Sequence, residues 1–137
     1  MALINAAFPC EKRAVFVGLL AFLVLAFALP LIATVVASLG PAEWLTQYLA
    51  PAKRYQPVLF VLVGAIVAWR STRASITNTI VVGFVGGLAL LAVATRLGAS
   101  PHLGIAALFF QYIVVTVAWC LLGGLGVSLL RRKKHAL

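Results

Sequence analysis

The chain has 137 residues, 64% of them hydrophobic and only 9% charged, and its eleven Lys and Arg against two Asp and Glu give a formal charge of +9. A soluble domain carries about a quarter charged residues, and a water-exposed globule of this composition would present apolar patches beyond what monomers tolerate. That excludes a soluble enzyme, a secreted disulfide scaffold and a disordered tail, and predicts an all-α integral membrane protein.

The N-terminal segment ends in Cys10, Glu11, Lys12 and Arg13. Two cysteines make no framework, and no Cys/His cluster with metal spacing exists, so no metal or other cofactor is expected. Cys10 reads as an incidental thiol and Cys120 as a small buried hydrophobe. Glu11 is expected to pair locally with the adjacent basic residues. The first apolar run, Ala14–Leu39, is too long for the core of a signal peptide, and Pro30 within it removes a backbone donor and predicts a kink.

The segment Gly40–Gln56 follows. Gly40-Pro41 before Glu43 reads as a helix start. Trp44, Leu45, Tyr48 and Leu49 then share one face of a short helix, with Trp44 and Tyr48 at headgroup level. This is an interfacial helix on the outer leaflet, or a lid or docking surface for a partner.

The second run, Pro57–Trp69, is short for a span. It reaches bilayer thickness only if Tyr55 and Arg70 lie at the headgroups. The third, Ala74–Thr95, is long enough, and the fourth, His102–Leu130, must tilt, bend or project. His102 reads as an interface residue. The expected architecture is a single membrane domain over residues 1–137, a four-helix bundle with spans near 14–39, 55–70, 74–95 and 102–130.

Charge sets the expected orientation. Lys12, Arg13, Arg70, Arg73, Arg131, Arg132, Lys133 and Lys134 fall on one side of such a bundle, and Lys53, Arg54 and Arg96 on the other. Basic residues accumulate in short cytoplasmic loops, so both termini are expected inside, in a bacterial cytoplasmic membrane. Arg70, Arg73 and Arg131–Lys134 then read as a collective contact to anionic lipid rather than a nucleic-acid patch.

Small residues recur every four positions in the last two spans: Ser75, Thr79, Gly83 and Gly87, then Thr116, Cys120, Gly124 and Ser128. Such ridges let helix backbones approach closely in lipid. In an antiparallel hairpin Ser75 should meet Gly124, Thr79 should meet Cys120 and Gly83 should meet Thr116. Asn78 and Gln111 are the expensive polar residues, because an unpaired amide in hydrocarbon costs several kcal/mol. Neither should face lipid. They read as interhelical glue, or one of them lines a water-filled path or contacts a lipid headgroup.

No acidic residue lies inside a span, although proton-coupled export of cations relies on a membrane carboxylate. Ser, Cys and His are not arranged for nucleophilic catalysis, and no Gly-rich phosphate loop is present. The chain is therefore expected not to be an enzyme. It reads as a small non-catalytic membrane subunit or assembly factor, whose partners are membrane lipids and a larger membrane protein or a second copy of itself. The alternative is a small homo-oligomeric transporter or flippase for an anionic or lipid-linked substrate.

Overall fold

The computed structural model describes residues 10–28, 31–32, 35, 38–39, 52–72, 74–96 and 104–136. Among them the chain is all-helical, with four helices and no strand. Helix α1 covers Lys12–Leu23 and continues as a π-turn over Val24–Ala28. Helix α2 is Ala52–Arg70 and α3 is Ser75–Arg96. Helix α4 runs from Ile105 to Ala136, with a π-turn at Phe110–Val114. The interfacial helix expected around Trp44 and Tyr48, the kink at Pro30, and Arg73 and His102 lie outside the described residues.

Among the described residues two helices, α3 and α4, are long and apolar enough to cross a membrane, whereas the apolar part of α2, Gln56–Arg70, is shorter. Helix α4 rises about 48 Å over its length. It extends six residues past the end of the apolar run, because helix formation does not stop where hydropathy does. Arg and Lys are good helix formers, and cations in a last turn complement the helix dipole. The basic tail is therefore part of a rigid helix.

The start of α1, the end of α2, the start of α3 and the end of α4 meet at one end of the bundle, here called the basic end. Helices α1 and α4 each pack on α2 and α3, which also touch one another. Small residues set the spacing. A Cβ on Gly64 would stand 1.9 Å from the Cys120 carbonyl oxygen, and one on Gly123 1.9 Å from that of Val61. Backbone thus lies on backbone where α2 crosses α4. Gly18 of α1 faces Val67 and Val82, and Gly86 of α3 is covered by the Phe22 ring. Phe22 in turn stacks on Phe60, with centroids 5.4 Å apart and planes 5° from parallel. Around these rings Val63, Val67, Val82 and Cys120 complete the buried core.

The α3–α4 ridges do meet, but up to one helical turn further along α4 than head-on pairing predicts. Ser75 Oγ lies 3.1 Å from Ser128 Oγ, Gly124 rests over Thr79, and Gly83 faces Val117 and Cys120. Gly87 lies against the backbone of Tyr112 and Ile113 in the π-turn. Packed helices interdigitate, each side chain sitting between two rows of its neighbour, so residues are offset rather than opposed.

Candidate functional site at the basic end of the bundle

Between α2 and α3 lies a tight linker, and the polar side chains of three helices converge on it. Asn78, in the first turn of α3, is fully buried. Its Nδ2 donates to Ser71 Oγ at 2.9 Å, and its Oδ1 accepts the backbone N–H of Glu11 at 2.9 Å. One amide therefore joins the start of α1 to the end of α2. Ser71 Oγ also donates to the Val67 carbonyl at 2.8 Å.

Glu11 reaches across from α1 to the linker. Its carboxylate accepts the backbone N–H of Thr72 at 3.0 and 3.1 Å, that of Ala74 at 3.1 Å, and the Thr72 hydroxyl at 3.2 Å. The N–H groups at a helix start have no partner inside the helix, and an anion there is favoured by the helix dipole. These bonds go beyond the local pairing with Lys12 and Arg13 that the sequence leads one to expect. The pattern hides the contact because the residues it joins are 61 to 63 positions apart.

Arg131 closes the junction from α4. Its Nη1 donates to the Ser71 carbonyl at 2.7 Å, its Nη2 donates to the Trp69 carbonyl, and its guanidinium lies 5.8 Å from the Trp69 ring centroid. Arginine is suited to this, since its planar fork reaches two acceptors and stacks on an aromatic face. The orphan carbonyls at the end of α2 are thereby capped. The basic run thus contains one directional member. Arg70, Arg132, Lys133 and Lys134 are exposed.

Thr79 and Thr116 are buried, and their hydroxyls donate to the carbonyls four residues earlier, Ser75 and Tyr112, at 2.7 and 2.6 Å. Cys120 is fully buried at the meeting of α2, α3 and α4. Every buried side-chain N or O atom among the described residues has a hydrogen-bond partner.

The Gln111 side chain is exposed rather than buried between helices. It sits in the π-turn of α4 and lines a recess of about 150 Å³ with Gln56, Phe60, Tyr112, Thr116 and Trp119. This recess lies toward the end of the bundle opposite the basic one, where α2 begins. Position in a period-3.6 pattern cannot foresee that exposure, since a π-turn shifts the phase of everything around it.

Comparison with protein-family profiles, with curated proteins and with solved structures finds no match for this chain.

Proposed function

We propose that the chain is a four-span integral membrane protein with both termini in the cytoplasm, acting as a non-catalytic subunit or assembly factor of a larger membrane complex. The observation that carries this reading is the direction of its polar groups. Asn78, Ser71, Thr79 and Thr116 are committed to bonds within the bundle, and glycine seams bring α2 against α4 at backbone contact. The outer faces meanwhile carry large apolar side chains such as Phe16, Ile80, Leu88, Phe110 and Leu129. In water that distribution would be an aggregation liability; in a bilayer it is the lipid- or partner-facing surface.

The localisation that follows is a bacterial cytoplasmic membrane, with the basic end inward. Gentle solubilisation from the native membrane, followed by identification of what co-purifies, tests the functional reading. A stoichiometric larger membrane protein is the expected result. A homo-oligomer retaining lipid, with no other protein, overturns it in favour of the second reading. That second reading, a homo-oligomeric transporter or flippase of anionic or lipid-linked substrates, is favoured by the recess between Gln56 and Gln111, whose amides and aromatic walls suit a polar headgroup.

A further inference from the structure

At the basic end, a crevice of about 1080 Å³ opens between the end of α2 and the last turns of α4. Its two parts differ in chemistry. Trp69, Val127 and Leu130 form an apolar wall, and Arg131, Arg132 and Lys134 form a basic rim. The wall is open: Trp69 is 70% and Leu130 69% exposed. Val127, Leu130, Arg131 and Lys134 fall at i, i+3, i+4 and i+7, so one face of α4 passes from apolar to cationic within two turns. The back of the crevice is held rigid, because Arg131 is bonded to the Trp69 and Ser71 carbonyls. Both acceptors are neutral backbone carbonyls.

We propose that this crevice binds one anionic phospholipid of the cytoplasmic leaflet, its phosphate held by Arg132 and Lys134 in the field of Arg131 and its acyl chains along Trp69, Val127 and Leu130. Three observations favour a phospholipid over a small anion. The crevice is at the upper end of the range for drug-sized ligand sites, far larger than inorganic phosphate. Trp69, Val127, Leu130 and Ala136 line it with apolar side chains that a free anion would leave exposed. The indole of Trp69 sits beside the charges, as indoles do at the headgroup boundary. The inference rests on the membrane reading above but adds a directional site to what would otherwise be a diffuse basic rim.

Lys133 supplies the control, because it belongs to the same basic run but does not line the crevice. A diffuse field attracts the membrane through every charge alike, whereas a site responds only to its own residues. The full chain, purified in mild detergent, is titrated with phosphatidylglycerol and separately with phosphatidylcholine, and bound lipid is counted by native mass spectrometry. One phosphatidylglycerol per chain should be retained in preference to phosphatidylcholine. The double variant Arg132→Gln, Lys134→Gln should weaken it about 25-fold, at about five-fold per charge. The double variant Arg70→Gln, Lys133→Gln removes the same charge and should change it less than two-fold. Val127→Trp, which obstructs the apolar wall with all charges intact, should weaken retention at unchanged helicity.

Equal losses in the two double variants, or equal retention of the two lipids, would overturn the site. Binding of inorganic phosphate alone with the same dependence on Arg132 and Lys134 would overturn the phospholipid as occupant. Extraction of the chain from native membranes by alkaline carbonate would instead overturn the membrane reading itself, which keeps the two failures apart.

Discussion

Asn78 and Arg131 show how much a single side chain can depend on its partners rather than its type. Replacing Asn78 with leucine removes the acceptor of the part-buried Glu11 N–H and the donor to Ser71 Oγ, which keeps its own bond to the Val67 carbonyl. An orphaned buried group costs about 1–3 kcal/mol. Asn78→Leu should therefore lower the thermal unfolding midpoint in detergent, whereas Thr95→Ala, which removes only an exposed bond within one helix, should leave it in place. Arg131→Gln loses two charge-assisted bonds, a class worth about 1.5–3 kcal/mol for each pairing of this kind, moderated here by partial exposure. Lys133→Gln should be silent in the same assay. Equal midpoints for the two variants would mean that the clamp on α2 contributes nothing. Composition and position in the sequence make Arg131, Arg132, Lys133 and Lys134 equivalent. Only the rotation of α4 about its axis singles out Arg131, and that is fixed by contacts 60 and 62 residues away.

At the scale of elements, the seams between helices were partly visible beforehand. The four-residue spacing of small residues in α3 and α4 identifies two faces suited to close approach, and those faces do pack together. The closest crossing is elsewhere, between α2 and α4 at Gly64 and Gly123. A lone glycine in a short apolar run carries no periodic signal, so nothing in α2 by itself announces its partner. Gly64→Leu or Gly123→Leu should separate these helices and prevent accumulation of folded protein. Gly126→Ala, at a position with open space around it, should be neutral or slightly stabilising, since alanine favours helix by about 1 kcal/mol over glycine. The offset between α3 and α4 also has a direct test. A Cβ at position 83 would lie 3.4 Å from that of Cys120, close to the separation in a disulfide. In a Cys10→Ser background, oxidation of Gly83→Cys should protect both remaining thiols from labelling performed afterwards in denaturant. Continued labelling of both thiols would refute the register.

For the whole molecule, the strongest prediction concerns threading. Reporter fusions after Leu137 and within residues 40–51 should report opposite sides of the membrane, with the terminal fusion cytoplasmic. Two signals on one side would refute four spans. Moving three basic residues from the α4 tail to the 40–51 segment should weaken or invert that orientation, because the bias depends on where Lys and Arg are counted.

What the amino-acid sequence determined by itself is the all-helical build and the presence of helices long and apolar enough for a bilayer. Transfer free energies add residue by residue, so composition and run length suffice to read them. The basic asymmetry between the two ends belongs to the same kind of local information. Only the tertiary structure decided which glycines touch, that Glu11 caps the linker before α3, that Asn78 joins α1 to α2, and that Gln111 is exposed in a π-turn. Each of these depends on the axial rotation and offset of a whole helix, set jointly by packing against its neighbours. The bonds that Glu11 and Arg131 make to other helices and the linker join groups 60 to 67 positions apart along the chain, beyond the reach of any local periodicity.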